Sequence, residues 1–451
     1  MCKHYHPLSV DSPHDSPRNE PANLAFTRRR FLGAGLGLVS TLGTVPGFLA
    51  NTALAASDSD ERTSSKPGVP QERVLVVIQL SGGNDGLNTL VPFADREYHR
   101  ARPGLAVPPR DVLRLGDTGF GLHPELRPFL ELLEDRRAAV VHGVGYPNPN
   151  RSHFASMAVW HTADPQAHDQ GGGARGNGWI GKALDAALDN DAEPKPLDCV
   201  TLGSEAPLAA RGERVQPIAF DRPELFRWRP GAIHEDLEKA YDRFHDMDPP
   251  VEGAGLDDPL NFIHRTACDA QLASAKIRKA VESRPKTDFP RGPLADQLRS
   301  VAAMIRAELP TRVYYANLGG FDTHAGQQNR HANLLARFAE GVKAFYDELE
   351  ATGHQDRVVT LAFSEFGRRV AQNASAGTDH GAAGPVFLAG PAVRPGLLGN
   401  APSLTELDNG DLKYTLDFRH LYAGLLQDWL KINPRPALGQ NFRPARIITP
   451  S

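Results

Sequence analysis

Cysteine is scarce in this chain. Only Cys2, Cys199 and Cys268 occur in 451 residues, and none has the paired spacing of a zinc–thiolate site. A disulfide-stapled scaffold is excluded as well. Cys199 falls in an apparent strand and Cys268 in an apparent helix. They can pair in an oxidising compartment or remain two buried thiols. Excess basic charge is also missing: the formal net charge is −4, which leaves no electrostatic footprint for nucleic acid. No internal repeat recurs at a solenoid or propeller period. The first glycine-rich turn does not fit GxGxxG, so a dinucleotide fingerprint is absent too.

A large core is present. At 40% hydrophobic and 23% charged, the composition is that of a globular protein. The 42 glycines and 37 prolines suit many loops between short strands and helices.

The N-terminus reads as a targeting segment. Arg28-Arg29-Arg30-Phe31-Leu32 precedes a weakly hydrophobic, glycine-bearing stretch from Gly33 to Ala50, and Ala53-Leu54-Ala55 offers a cleavage point. This pattern has the form of a twin-arginine export signal, with an uncleaved membrane anchor as the alternative. The expected organisation is a signal over 1–55, a polar linker over 56–71, one α/β domain over 72–432 and a tail over 433–451. An insert lies at about 211–293, where charge rises and apolar density falls. Cleavage would leave a net charge of about −6 and no membrane span.

Unbroken apolar runs mark strands buried on both faces. They are Val74–Ile78, Ala138–Val144, Cys199–Leu202, the run at Val313–Tyr315, Val358–Phe363 and Val386–Leu388. Between them, apolar residues at spacings of three and four predict helices over Pro124–Glu134, after Ser152, near Lys182–Leu188, over Asp257–Ser283, around Leu294–Ile305, over Asn329–Leu349 and over Phe418–Leu430. Strands alternating with helices predict a mostly parallel sheet flanked by helices.

Chemistry-bearing residues collect at the strand ends, where an open α/β sheet binds ligands. Asp85 sits in Ser81-Gly82-Gly83-Asn84-Asp85-Gly86, either near a ligand or in an Asn-Asp-Gly turn. Asp322 and His324 follow Gly319-Gly320. They suit a metal, an acid–imidazole relay, or a capped loop beside a surface histidine. Glu365 directly follows Phe363-Ser364, with Arg368 behind it, and Asp379 and His380 precede the last strand. Ser152 stands at a helix start, as a cap or as a nucleophile, with Arg151 beside it. Gly171–Gly173 gives only an unspaced glycine loop. Together these residues describe a site for a divalent metal ion (zinc, manganese, iron or calcium). Asp85, Asp322, His324, Glu365 and His380 would be ligands, Ser152 would be the nucleophile, and Arg151 and Arg368 would face an anionic substrate.

The ordered set SGGNDGLN, NRSHF, GNGWIG, GGFDTH, FSEFGRR and GTDHG, behind the arginine signal, resembles the bacterial domain-of-unknown-function family 1501. That family is similar to the alkaline phosphatase and sulfatase superfamily. The resemblance implies an alkaline-phosphatase-like core with a helical or loop insert. It also implies that Asp85, Ser152, Asp322, His324 and His380 match metal and nucleophile positions. Where the superfamily has an Asp-His pair, this chain has Glu365-Phe366, and Asp322 and His324 are closer than the usual spacing of four. A second metal would therefore lack a nitrogen ligand. The expected function is an exported metal-dependent hydrolase of phosphate or sulfate esters, served by the twin-arginine export machinery and acting on an anionic small-molecule or polymer substrate. The alternative is a non-catalytic exported protein that binds metal, polysaccharide or a partner on the same scaffold.

Overall fold

A computed structural model describes residues 72–167, 176–188, 197–222 and 273–450. The signal, the linker, Gly171–Gly173, Cys268 and most of the insert lie outside these residues, and of the helix expected over Asp257–Ser283 only 273–282 is described, as helix.

The six apolar runs, with three short strands that were not expected (β4, β8 and β9), form nine strands of one sheet: β1 (Val74–Ser81), β2 (Ala138–Gly145), β3 (Cys199–Leu202), β4 (Ile218–Phe220), β5 (Val313–Gly319), β6 (Val358–Phe363), β7 (Gly384–Ala389), β8 (Gly396–Leu398) and β9 (Leu416–Asp417). Their order is β8-β2-β7-β6-β1-β5-β3-β4, with β9 beside β2. Only β7 runs against its neighbours; every other pairing in the sheet is parallel. The C-terminal ends of β1, β2, β5 and β6 and the start of β7 therefore share one edge. Ser81 pairs with Gly319 and Gln79 with Phe363, so the loops beyond them leave at one level.

Alternate residues of β1 enter different cores, which explains its unbroken apolar run. Val74, Val76, Ile78 and Leu80 join one cluster, while Leu75 and Val77 join the other. The helices include α1 (Arg96–Ala101), α2 (Arg127–Glu134), α3 (His153–Thr162), α4 (Trp179–Ala186), α5 (Pro293–Arg306), α6 (Gln327–Thr352) and α7 (Phe418–Gly424). Helices α2, α5 and α6 cover the first face through Phe129, Leu298, Phe338 and Phe345. Helices α3, α4 and α7 cover the second, where Trp160 stacks on Phe363 and Trp179 on Tyr422. Each such buried side chain stabilises the fold by about 1.5–3 kcal/mol.

Three local expectations change. The helix expected to run unbroken from Phe418 to Leu430 widens into a π-helical turn over Leu425–Trp429, so the Leu430 amide reaches back to the Leu425 carbonyl at 2.9 Å. A short 3-10 turn, Gly86–Asn88, follows Asp85, where no helix start was expected. Residues 95–137, expected as loops before α2, include α1 and two strands of a small three-stranded sheet. Cys199 is a buried free thiol in β3. Among the described residues, no helix is long and apolar enough to cross a membrane.

Candidate metal centre

Two glycines set the edge of the site. Gly82 and Gly83 end β1 with φ of +117° and +77°. A Cβ on Gly82 would lie 2.4 Å from the Asp322 backbone nitrogen, and one on Gly83 would lie 2.3 Å from the Phe366 ring. Glycine alone lets the β1 loop approach the β5 and β6 loops this closely.

Into that edge come three imidazoles and a carboxylate. His153, Asp322 and His380 each offer a ligand atom within 4.8 Å of the others. His324 joins them: its Nε2 is 2.9 Å from Nε2 of His380 and 3.0 Å from Oδ1 of Asp322. His380 Nε2 also lies 3.0 Å from Asp322 Oδ1, and His153 Nε2 faces Asp322 Oδ2 at 3.5 Å.

The opposite ring nitrogens fix how each imidazole is protonated. His380 Nδ1 sits 2.8 Å from the Arg151 carbonyl oxygen, which can only accept. His324 Nδ1 faces Asp379 Oδ1 at 3.2 Å, and His153 Nδ1 faces Glu365 Oε1 at 2.8 Å. Assigned from these acceptors, each Nδ1 carries a hydrogen, and each ring turns its Nε2 toward Asp322. Two ring nitrogens and a carboxylate oxygen meeting at 2.9–3.0 Å need protons or a metal cation among them. An imidazole held by an oxygen at its far nitrogen is the usual support of a metal-binding histidine. The donor set therefore fits a metal ion, and among the described residues it is the one such group.

Charge in the cluster follows the same partners. Burial opposes ionisation of Asp322, but His380, Arg368 and His324 outweigh it and hold the carboxyl well below the usual carboxylate range. The hydrogen bond to Glu365 raises His153 against the effect of burial. The hydrogen bond from Asn373 lowers Asp379, with His324 adding to it.

Several expected roles change. Asp85 is not brought to the cluster. It is fully buried, Arg102 Nη1 donates to its Oδ2 at 2.6 Å, and Gln327 donates to the same oxygen. Burial pushes its pKa up, but Arg102, His331 and Gln327 together more than reverse this. Glu365 stands behind the cluster. Its Oε1 accepts from the Gly82 amide at 2.9 Å while bonding His153, so it positions a ligand instead of being one. Arg368 is 1% exposed and commits its guanidinium to the carbonyls of Gly82, Gly83, Phe321 and Thr378 and to Asp322. Burial and these contacts turn the guanidinium toward the loops and away from solvent. Arg151 is half-exposed and paired with Asp411.

Ser152 precedes α3 and is exposed, but its hydroxyl makes no capping hydrogen bond. The cap reading fails there, and Asn150 Oδ1 takes the Ser152 amide instead at 2.8 Å. Ser152 stands between Arg151, whose carbonyl holds His380, and His153, which joins the cluster. Phe366, in place of an expected imidazole, is buried and packs against the rings of both His153 and His380. His153 is the candidate ligand that the sequence alone did not single out. Its signal was its place beside Ser152 in Asn-Arg-Ser-His-Phe.

No curated protein matches the chain. Among solved structures it is similar to i-CgsB in complex with k-i-k-neocarrahexaose, at 10% identity and a TM-score of 0.39, covering 82% of this chain and 75% of that one. It is also similar to the lipoteichoic acid synthase LtaP from Listeria monocytogenes, at 9% identity and 0.31, covering 81% and 79%. A third is the phosphonate monoester hydrolase SpPMH from Silicibacter pomeroyi, at 11% and 0.33, covering 83% and 78%. At these scores the likeness says nothing about chemistry, which has to be read from this chain's own residues. Residues 72–434 match the family described as "Protein of unknown function (DUF1501)", and the chain belongs to that family.

Proposed function

We propose that this protein is an exported, metal-dependent hydrolase of phosphate or sulfate esters. Its metal centre would be held by His153, Asp322, His324 and His380. One observation carries the reading: three imidazoles, each donating Nδ1–H to an oxygen, turn Nε2 toward a single ionised carboxylate. A divalent metal bound there supplies Lewis acidity, polarising a non-bridging ester oxygen and lowering the pKa of a hydroxyl or water. Nitrogen-rich donors suit zinc or iron better than calcium, which prefers oxygen.

The chain's own groups fill the remaining roles. Ser152 carries an exposed hydroxyl that caps nothing, at a helix start whose N–H groups favour an anionic ester. That hydroxyl would attack phosphorus or sulfur while the ester's alcohol leaves. Glu365 keeps His153 in one tautomer, and Arg368 keeps Asp322 ionised and in place. The test is turnover of 4-nitrophenyl phosphate and 4-nitrophenyl sulfate by the metal-loaded protein. Ser152→Ala should abolish turnover and leave metal content unchanged; undiminished turnover would remove the serine mechanism.

A non-catalytic exported binding protein is the second reading, favoured by Phe366, whose ring occupies the place where a second metal would need a nitrogen. Under that reading a variant lacking Asp322 and His324 keeps its partner. Export itself rests on residues 1–55. Replacing Arg28, Arg29 and Arg30 by lysine should leave the precursor inside the cell, and normal export of that variant would reject the twin-arginine route.

A further inference from the structure

We propose a second binding site, for a polyhydroxylated, sugar-like group, in the cavity that opens beside the metal cluster. The cavity measures about 740 Å³, within the range of small-molecule sites. Gln79, His161, Thr201, Tyr315, Asn317 and Arg299 are among the residues that line it. None of them belongs to the metal cluster, and the cavity's chemistry is independent of the ester-hydrolase reading.

The floor is a fixed hydrogen-bond lattice of uncharged groups. Gln79 Oε1 accepts from the Tyr315 hydroxyl and lies 3.0 Å from His161 Nε2. Gln79 Nε2 donates to Ser81 Oγ at 2.6 Å, and Ser81 Oγ donates to Asn317 Oδ1 at 2.6 Å. Burial pushes His161 down to about 3, so it sits there as a neutral ring. Asn317 is exposed and its amide nitrogen is left to donate, while the Thr201 hydroxyl donates to the Ile218 carbonyl at 3.2 Å and keeps lone pairs to accept.

The walls carry both signs of charge. Glu205, Asp221 and Asp296 stand against Arg222 and Arg299, and Arg299 is paired with Asp296 at 3.0 Å. An anionic ligand would meet more carboxylates than guanidinium groups. An apolar ligand would strip water from amides, hydroxyls and charges and return no hydrogen bonds, a penalty incurred at each group. A hydroxylated ring supplies a donor and an acceptor at each hydroxyl and satisfies all of these groups together.

The position relative to the metal cluster is set by α3 and β1. His153 opens α3 and His161 lies eight residues on, about 12 Å along the axis. The chain from Gln79 and Ser81 continues into Gly82, whose amide holds Glu365. A ligand seated in the cavity therefore lies within one oligosaccharide's reach of the cluster.

The test is binding of a defined panel by the full mature chain, measured by saturation-transfer NMR and titration calorimetry. The panel is glucose, galactose, mannose, N-acetylglucosamine, cellotetraose and chitotetraose. At least one member should bind, and Asn317→Ala and Arg299→Ala should each weaken it by about tenfold. Both replaced side chains are exposed, and unchanged thermal unfolding would show that these variants fold. His324→Ala should bind the same sugar as the native chain does, even if it turns over no ester. No binding by any panel member, or equal binding by the two cavity variants, overturns the proposal. Loss of sugar binding in His324→Ala would move the ligand to the metal cluster and overturn it as well.

Discussion

His324 and His380 meet nitrogen to nitrogen, with their Nε2 atoms 2.9 Å apart. Each ring faces an oxygen acceptor at its Nδ1, so both Nε2 atoms are turned inward toward Asp322. A cation among them would be held by two nitrogens and a carboxylate oxygen. Elemental analysis of protein purified without chelator should find close to one transition-metal ion per chain. An Asp322→Ala/His324→Ala variant should hold none. Metal-free native protein that takes up none on reconstitution would refute the centre.

Glu365 should tune that centre without forming it. Removing an oxygen that orients a metal-binding histidine costs about 10–100-fold in affinity. Competition with a chromogenic chelator should place Glu365→Ala in that range, with the same stoichiometry as the native chain. Affinity equal to native would mean that the hydrogen bond to His153 does not orient the ring.

Asp85 and Arg102 form a different kind of pair, fully enclosed beneath the site. Arg102→Met leaves a buried carboxylate without its counter-charge and should destabilise the fold by about 3–5 kcal/mol in urea unfolding. Asp85→Asn/Arg102→Met should recover most of that loss. The folded Asp85 pKa lies below its ordinary value, so its contribution is complete above the ordinary carboxylate pKa. It is lost as pH falls through the lower folded value. The double variant should thus show a shallower loss of stability in acid; a profile parallel to native would contradict the pairing.

Buried histidines give a loss of the same sign at higher pH. Burial lowers His331 and His123 to about 4 and His161 to about 3. Between those values and about 6.5 the unfolded chain binds protons that the folded chain refuses. Stability should fall as pH drops across that window, by up to about 1.4 kcal/mol per pH unit for each histidine. Urea midpoints at pH 7, 6 and 5 measure the slope. His331→Gln should flatten it, and an unaltered slope would assign the effect elsewhere.

The sheet was legible because two-sided burial leaves a nearly unbroken apolar run, as at Val74–Ile78 and at Val358–Phe363, where Thr360 alone interrupts it. The edge that gathers the site was legible too, since strands followed by helices must run parallel and end together. What pattern alone could not supply was pairing at a distance. Asp85 reads as a metal carboxylate until Arg102 is seen against it, and Arg102 carries no mark of that partner in the chain. Glu365 and Arg368 have the right chemistry for a site, but burial turns both into supports. His153 was overlooked because Ser152 beside it drew the functional reading. The candidate ligands at 153, 322 and 380 share no spacing that sequence could reveal. The break at Leu425–Trp429 also escaped, since a π turn leaves the apolar pattern nearly intact.

Arg368 has a consequence for how the molecule works. One guanidinium fastens the carbonyls beyond β1 and β5 to the loop ahead of β7, so these three loops share one anchor. A cluster held this way would be assembled by folding itself, before any ion arrives. Binding an ion would proceed like a key entering a finished lock, with little reshaping, and affinity would not be spent on ordering loops. New substrate preferences would have to arise in the walls around this edge, because the anchor leaves the edge itself almost no freedom to drift.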